Sequence, residues 1–548
     1  MIMLYGLLVK KLLRQMTKKK IAFFSPYIAI WPHAVIQRQI TKILSSKFTV
    51  INILCESYLP NLCTIQIGKG LTPSSTAFEK KKICINCIKI SKAVDKSLAN
   101  DSYWLKNEQN LFSNQAVPQL RELVGKFYAD YVYKEINVGR FALYEVILKF
   151  KKKSLNLSPT EEDYFFEELK NCISVVDSAN QVLNELKPDL VVIYSPQYGI
   201  NSCFAEVAIQ KKIKVYYLAG NTAWDEIHRS ARIWDYEKYG IYSPVDLEYD
   251  FESIKLTILE KLKIRKHKII LKTGRSPWVY SQPSKNQSTY DYYKIPKDKR
   301  IILAAMNSYD EFFASNTRKP DPFTEVKNLV FVDQIDWIRQ LISWAKGNLQ
   351  VHLIIRPHPR ELPNKREGVV AEFVAEWENL LIDLPTNVTV SHPTDLFSIY
   401  DLFSDIKILT TGWSSTAFEA DMFGVPVVTY DHRISKLPKQ LGLTGETVQK
   451  YFNNLHDILK FGNPKNTGKI GAKWFAHINY RGSIYLPGRL IDRIVLRSLN
   501  QYVIFRKILT LIPLNILRWI DLRGPISHST KRKLIRLMSD DSDSLYEL

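Results

Sequence analysis

Apolar runs typical of buried strands alternate with segments whose apolar positions recur at helical spacing. In the first half of the chain these segments are, in order, Lys19–Tyr27 (strand), Trp31–Leu44 (helix), Phe48–Cys55 (strand), Lys187–Pro196 (strand), Ile200–Lys212 (helix) and Ile213–Asn221 (strand). Strands that are apolar almost throughout are typical of parallel sheets covered on both faces. The pattern therefore predicts a doubly wound α/β domain.

A second series of the same kind follows in the C-terminal half. Its strands are predicted at Lys299–Met306, Leu349–Pro359, Asn387–His392, Asp405–Thr411 and Val425–Asp431, with helices at Phe331–Gly347 and Ser415–Phe423. The predicted fold class is therefore α/β, with two Rossmann-like domains in tandem, each built on a mostly parallel sheet.

Other stretches break the alternation. Asp101–Leu186 is helical in pattern, and the last residues, SDDSDSLYEL, are polar and acidic enough to predict disorder. The predicted organisation is a basic amphipathic leader (1–18), an N-terminal Rossmann-like domain with a cysteine-bearing insertion (19–245), an interdomain connection (246–296), a C-terminal Rossmann-like domain (297–470) and a helical basic tail (471–548).

The charge narrows the choice of partners. The 548 residues carry a formal net charge of +21, which favours acidic lipid headgroups, phosphorylated substrates or nucleic acid. Zinc-finger spacing, an aromatic RNA-binding motif and a homeodomain-like helix are missing from the sequence, so nucleic acid is not the expected partner.

The sequence predicts contact with the membrane surface but no segment that spans the membrane. The sequence has no apolar run of the roughly 18–20 residues that span a bilayer, and the leader lacks a signal-peptide cleavage site. The tail segment 506–524 alternates Lys and Arg with Leu, Ile and Trp, as interfacial helices do. We expect a cytoplasmic protein with peripheral contact at the inner face of the plasma membrane. The alternative is that the tail packs back on the two domains.

Four of the six cysteines fall in one segment. Cys84 and Cys87 have the spacing of metal ligands, and together with Cys55 and Cys63 they predict a structural zinc site. The competing interpretation is four ordinary thiols in an insertion. No cofactor is expected for the chemistry itself.

The first candidate site follows a predicted strand, in the sequence IIRPHPR. In open parallel sheets ligands bind beyond the carboxyl ends of the strands. Arg356 offers a planar fork suited to phosphate oxygens, and His358 is a shorter donor. The two prolines stiffen the loop. The competing interpretation is a structural turn with a solvated arginine.

The second candidate site is TTGWSSTAFEADMFGVPVV, Thr410–Val428. Gly412 permits a tight turn, and Ser414, Ser415 and Thr416 lead into a helix whose N-terminus suits an anion. Glu419 lies one turn further along and is placed to accept hydrogen bonds from ribose hydroxyls.

These two motifs resemble those of bacterial capsule and surface-polysaccharide glycosyltransferases of the GT-B fold, close to the CDP-glycerol glycerophosphotransferase and Kdo-transferase groups. The opening IAFFSPYIAIWPHAVIQRQI is also similar to the first strand, loop and helix of GT-B enzymes. The resemblance implies that the C-terminal domain holds a nucleotide-sugar donor and the N-terminal domain an acceptor. It implies that Arg356, His358 and the hydroxyl residues meet the phosphates, and that Glu419 meets the ribose.

Two candidates for the catalytic base lie in the N-terminal domain. His33 follows the first strand, where GT-B enzymes often present a base, and its ordinary pKa suits proton transfer. Asp225 and His228 follow a later strand and form a second candidate pair. The only Asp-x-Asp, at 541–543, is interpreted as solvated charge, so no metal is expected at the active site.

The predicted function is transfer of a sugar from a nucleotide-activated donor to an oligosaccharide or lipid-linked glycan, as part of a growing surface polysaccharide. A glycerophosphotransferase of the CDP-glycerol type shares the fold and the donor-site arrangement. A UDP-sugar 2-epimerase shares the fold but needs no membrane-facing tail. A non-catalytic scaffold that binds anionic lipid or polymer is the alternative from another class.

Overall fold

The structure is a computed structural model. It describes residues 18–547 apart from 60–61, 99, 107–116, 126, 222–229, 241–248, 275–279, 319–329, 365–367, 432–433, 435–436, 487–501, 512–526 and 541. The leader up to residue 17, Asp225, His228 and much of the predicted tail lie outside the described residues.

The strands are short and mostly buried. In chain order they are β1 Lys20–Phe24, β2 Thr49–Glu56, β3 Asp101–Lys106, β4 Leu190–Tyr194, β5 Lys214–Gly220, β6 Ser230–Asp235, β7 Arg300–Ala305, β8 Val351–Arg356, β9 Val388–Val390, β10 Ile406–Thr411, β11 Val427–Thr429, β12 Leu443–Thr444 and β13 Ile484–Tyr485.

The α-helices vary from one turn to 28 residues. In chain order they are α1 Trp31–Leu44, α2 Thr64–Ile67, α3 Ala77–Leu98, α4 Val117–Val124, α5 Val138–Phe150, α6 Pro159–Leu186, α7 Gly199–Gln210, α8 Tyr236–Tyr239, α9 Ile258–Lys272, α10 Thr289–Tyr292, α11 Tyr309–Thr317, α12 Gln334–Lys346, α13 Val374–Leu380, α14 Ile399–Asp405, α15 Thr416–Met422, α16 Val448–Phe461, α17 Ile470–Ala476, α18 Val503–Leu511 and α19 His528–Ser539. Within the described ranges, every helix is too short or too polar to cross a bilayer.

The chain divides into two compact units. The first comprises 1–145, 156–244 and 481–548, and its sheet has the order β13-β6-β5-β4-β1-β2-β3. Strands β1 to β5 are parallel, whereas β6 runs antiparallel to both β5 and β13. The core on one face joins residues of β1, β4 and β5 to Leu534, Leu537 and Met538 of α19. The C-terminal helix is therefore part of this unit's core.

The second unit comprises 146–155 and 245–480, and its sheet has the order β12-β11-β10-β7-β8-β9. Every strand pair in it is parallel. Trp337 and Leu341 of α12 and Tyr451 of α16 pack on one face of this sheet and are buried. Both units are therefore open, mostly parallel α/β sheets, which confirms the predicted fold class.

Most predicted elements are present, with shifts of a few residues at their ends, and helix α1 has the predicted bounds. Two predictions were wrong. Asp101–Lys106 was included in a helical stretch but forms the edge strand β3, because pairing with β2 supplies backbone hydrogen bonds that local propensity does not reveal. The terminal residues were expected to be disordered, yet Asp543 pairs with Lys214 at 3.0 Å and Leu545 is buried.

The units also divide the chain differently from the predicted boundaries. The stretch 246–296 belongs to the second unit, where α9 is capped by Thr257 and Glu260, and Lys268 of the same helix donates to the Met422 carbonyl at 2.9 Å. Residues 481–548 of the predicted tail belong to the first unit, because α19 completes its core.

Candidate functional site

The order of strands in the second sheet marks the place where a ligand is expected. From β7 the chain moves outward through β8 and β9, then returns to the other side of β7 with β10. The carboxyl ends of β7 and β10 thus flank a topological switch point, where open α/β sheets bind ligands. Both motifs singled out in the sequence follow strands next to β7.

A buried asparagine ties these strand ends together. The side-chain oxygen of Asn307 accepts hydrogen bonds from the Thr411 hydroxyl at 3.1 Å and from the Trp413 N–H at 3.0 Å. Its amide nitrogen donates to Gln334 at 2.9 Å. The turn after β10 is therefore fixed to the end of β7. Sequence reasoning did not identify Asn307, because its partners are distant in the chain.

A cavity of about 570 Å³, counting the solvent at its mouth, opens at this point. Its lining residues are Tyr280, Ser281, Ala305, Met306, Arg356, Pro357, His358, Pro359, Ile399, Tyr400, Ser414, Ser415, Thr416 and Glu419. The structure thus brings six of the seven predicted donor-site residues together. The seventh, Gly412, lies in the turn behind them.

The close packing of Gly412 explains its place in the motif. A Cβ atom built on it would lie 2.9 Å from the ring of Tyr430, which is fully buried. A side chain at this position would therefore displace either the ring or the turn that carries Ser414 and Ser415.

Arg356 lines the cavity and is buried, with 4% of its surface exposed. Its guanidinium donates to the Ser391 hydroxyl at 2.6 Å and to the Phe397 carbonyl at 3.5 Å. The Tyr293 hydroxyl also donates to Ser391, at 2.8 Å. Burial lowers the pKa of the guanidinium from its ordinary value. These contacts fix the orientation of a cation that carries five N–H donors in one plane.

His358 lies in the loop after β8. Its Nδ1 accepts a hydrogen bond from the Arg360 N–H at 3.2 Å, so a neutral ring carries its proton on Nε2. Its ring lies edge-on to Tyr280, with the ring centroids 5.8 Å apart. The loop is further fixed by the buried ion pair between Arg360 and Asp310, at 2.9 Å. His358 is therefore a positioned donor on the cavity wall.

Glu419 and Tyr400 form a hydrogen-bonded pair on the cavity wall. The Tyr400 hydroxyl donates to a Glu419 carboxylate oxygen at 3.0 Å. Burial raises the pKa of Glu419 to about 7, although the bond from Tyr400 opposes the shift. Near neutral pH this carboxyl is therefore divided between its charged and neutral forms. Tyr400 was not predicted, because it lies in the first turn of α14 rather than after a strand.

Two of the three hydroxyl residues at the start of α15 bond to each other. The Ser414 hydroxyl donates to the Thr416 hydroxyl at 2.9 Å and accepts from the Thr416 N–H at 3.2 Å. Ser415 occupies the N-cap position without a side-chain capping bond, and it is exposed. The three side chains thus form a polar edge of the cavity.

The predicted base His33 lies in the first unit, in the first turn of α1. Its ring stacks on that of Tyr194 at the end of β4, with centroids 4.1 Å apart. Strands β1 and β4 flank the switch point of the first sheet, so His33 lies near the kind of position where open α/β sheets bind ligands. Burial lowers the pKa of His33 to about 4, and the ring is neutral at physiological pH. Asp225 and His228 lie outside the described residues.

The four cysteines of the predicted zinc site line one small cavity beside β2, α2 and α3. Burial raises the pKa of Cys55 to about 12 and that of Cys63 to about 11, and Cys84 lies 3.2 Å from the Ser57 hydroxyl. Among the described residues, no group of three or more His, Cys, Asp or Glu side chains is arranged to hold a metal ion. Structural zinc, with Cys87 as its fourth ligand, stays a prediction.

No protein-family model matches the chain, and no curated protein sequence matches it. Solved structures do show similarity. UDP-GlcNAc 2-epimerase from Neisseria meningitidis has 15% identity and a TM-score of 0.30, covering 84% of this chain and 98% of its own. The KpsC β-Kdo 2,4-transferase from Thermosulfurimonas dismutans has 15% identity and a TM-score of 0.33, covering 57% of this chain and 87% of its own. UDP-GlcNAc 2-epimerase from Methanocaldococcus jannaschii has 12% identity and a TM-score of 0.27, covering 85% and 100%.

Identities and TM-scores this low transfer no activity to the present chain. By its own topology it is a protein of two Rossmann-like units, with a polar cavity at the switch point of the second sheet.

Proposed function

We propose that the chain is a glycosyltransferase that moves a sugar from a nucleotide-activated donor to a growing surface or capsular polysaccharide. One observation carries the proposal. The cavity at the switch point of an all-parallel sheet combines a buried arginine, a positioned histidine, a hydroxyl edge and a Glu–Tyr pair. These are the groups that a diphosphate and a ribose require.

The phosphates are assigned to Arg356 and His358. A guanidinium held by Ser391 and Phe397 presents its remaining N–H groups in a fixed plane, which matches phosphate oxygens. The Nε2–H of His358 adds a second donor. As the bond to the sugar breaks, negative charge builds up on the leaving diphosphate. Positioned donors stabilise that charge without reorganising.

The ribose is assigned to Glu419. A carboxylate accepts hydrogen bonds from two neighbouring hydroxyls, and the bond from Tyr400 fixes the orientation of the carboxyl. The ligand's hydroxyls favour the charged form, so binding is expected to lower the pKa of Glu419. The hydroxyls of Ser414 and Thr416 are placed to complete the polar edge.

The acceptor is assigned to the first unit, with His33 as the base that takes its proton. The acceptor in this proposal is an oligosaccharide or a lipid-linked glycan at the cytoplasmic face of the membrane. A glycerophosphotransferase of the CDP-glycerol type would use the same donor cavity, so the transferred group has to be identified by experiment.

The test is a thermal-shift screen of the full chain against UDP, CDP, CMP, GDP and their sugar conjugates. A ligand at about 100 times its Kd stabilises a protein by about 2.7 kcal/mol. We expect one nucleotide to stabilise the chain. Arg356→Lys, which keeps the charge but loses the fork, and Glu419→Gln should each weaken its binding about tenfold or more.

The matched controls are Arg339→Lys and Glu446→Gln, which change exposed residues of the same unit. Both should bind the nucleotide as the unchanged protein does. If no nucleotide stabilises the folded chain, the transferase proposal fails and a non-catalytic scaffold takes its place. Transfer of glycerol phosphate rather than a sugar from the matching donor would replace the glycosyltransferase with the glycerophosphotransferase.

A further inference from the structure

Helix α18 presents apolar side chains to solvent. The exposed residues on and next to it are Tyr502, Val503, Ile504, Phe505, Ile508 and Leu511. Leu511 is 82% exposed and Ile504 is 66% exposed. Single exposed apolar residues are common on protein surfaces, but a cluster on one short helix marks an interaction site.

Helix α3 packs against α18 and adds a second row of such residues. Phe78, Lys82, Ile85, Lys89 and Lys92 follow one another at intervals of four, three, four and three along one face of α3. Phe78 is 76% exposed and Ile85 is 43% exposed, and the three lysines are exposed as well. We call the exposed faces of these two helices the α3–α18 surface.

The charge on this surface is mostly positive. The sequence of α3 contains six lysines and two acidic residues, Glu79 and Asp95, and α18 adds the exposed Lys507. Glu79 accepts hydrogen bonds from Thr76, and Asp95 is partly buried against Ser102. Lys92 pairs with Glu56, and the other five lysines of α3 leave a net positive charge beside the apolar residues.

We propose that the α3–α18 surface docks the protein on a bilayer that contains anionic lipid. Exposed Phe, Ile and Leu side chains enter the boundary between headgroups and acyl chains, while the long lysine side chains reach back to lipid phosphates. A second copy of the chain is a poorer occupant, because two lysine-rich faces repel each other. This inference goes beyond the proposed function and does not depend on the donor cavity.

The α3–α18 surface overlaps the segment 506–524 that the sequence predicted to be interfacial, but α19, further along the predicted tail, lacks this character. The apolar residues Leu534, Leu537 and Met538 of α19 are buried in the core of the first unit, so that helix has no apolar face left for lipid. Its exposed residues include Lys531 and Arg532, which makes it a basic surface without exposed apolar groups of its own. It therefore supplies a matched control.

The test is co-sedimentation of the full chain with vesicles of phosphatidylcholine alone or mixed with phosphatidylglycerol. We expect binding to the mixed vesicles only. The triple variant Ile504→Ser, Ile508→Ser, Leu511→Ser and the double variant Lys82→Glu, Lys89→Glu should each weaken it about tenfold or more. All five residues are exposed, so the fold should tolerate the changes.

The controls distinguish vesicle binding by this surface from binding through positive charge or exposed apolar residues elsewhere on the protein. Lys531→Glu with Arg532→Glu makes the same change of charge on α19, and Leu349→Ser removes an exposed leucine of the second unit. Both should bind the vesicles normally. Equal binding by every variant, or an equal loss in the controls, would overturn the proposal. So would a dimer in solution that the triple variant dissociates without any change in vesicle binding. Nucleotide stabilisation should persist in all of these variants, which keeps the two proposals separable.

Discussion

At the scale of single residues, the cavity depends on side chains whose chemistry is altered by burial. Glu419 is the clearest case, because its pKa is raised from 4.5 to about 7. The folded chain then holds that proton more tightly than the unfolded chain does. This contribution to stability is fully present below about pH 4.5 and is lost as the pH rises through about 7.

Glu419→Gln should therefore remove a pH-dependent part of the stability. Glutamine stays neutral, so the Tm of the variant minus that of the unchanged protein should grow by a few degrees between about pH 5 and about pH 8. The measurement is thermal unfolding of the ligand-free proteins across this range. Glu446→Gln, at an exposed position, should show a constant difference. A difference that does not change with pH for Glu419→Gln would show that its carboxyl is not buried as described.

His33 supports a prediction about the pH dependence of turnover. Its pKa is lowered from 6.5 to about 4, and a base must be unprotonated to act. The acidic limb of kcat/KM should then lie near pH 4, and His33→Gln should remove most of the activity. His456→Gln, at an exposed position, should leave the activity unchanged. An acidic limb near 6.5 that survives in His33→Gln would assign the base to another group.

At the scale of the elements, the turn after β10 determines where Ser414 and Glu419 lie. Gly412→Ala places a methyl group 2.9 Å from the buried ring of Tyr430, so we expect a loss of about 1–3 kcal/mol in the free energy of unfolding and weaker nucleotide binding. The measurements are urea unfolding and calorimetric titration. Gly347→Ala is the matched control, because its added methyl meets only Trp344 at an ordinary 3.6 Å. Unchanged stability and binding in Gly412→Ala would mean that the turn adapts freely.

The strands and the site residues show which features of the fold can be predicted from the sequence alone. Apolar runs predicted the strands on either side of both switch points, because residues buried on both faces leave a continuous signal, as in VVIY of β4 and IILAA of β7. Edge strand β3 was missed because it pairs with β2, which is distant in the chain. Strand β6 was also missed, and it lies between its chain neighbour β5 and the distant β13. Asn307 was missed at the site because its partners are distant in the chain, and Tyr400 was missed because it lies in a helix. Arg356 and Glu419 belong to the two motifs at the ends of β8 and β10 and were found.

At the scale of the whole molecule, two units with separate cores predict separate unfolding transitions. Scanning calorimetry of the full chain should resolve two of them. Since the donor cavity is built from residues of the second unit alone, the nucleotide should raise only the transition that Gly412→Ala lowers. A nucleotide that raises only the other transition would place its site in the first unit.

The central claim is that a nucleotide-activated sugar occupies the cavity at the switch point of the second sheet. Hydrogen–deuterium exchange of the full chain, with and without the stabilising nucleotide, tests it most directly. We predict slower exchange in the segments 355–360 and 412–420, which carry Arg356, His358, Ser414 and Glu419, and no change in α19. Protection confined to the first unit, or none in those two segments at saturating nucleotide, would contradict the claim.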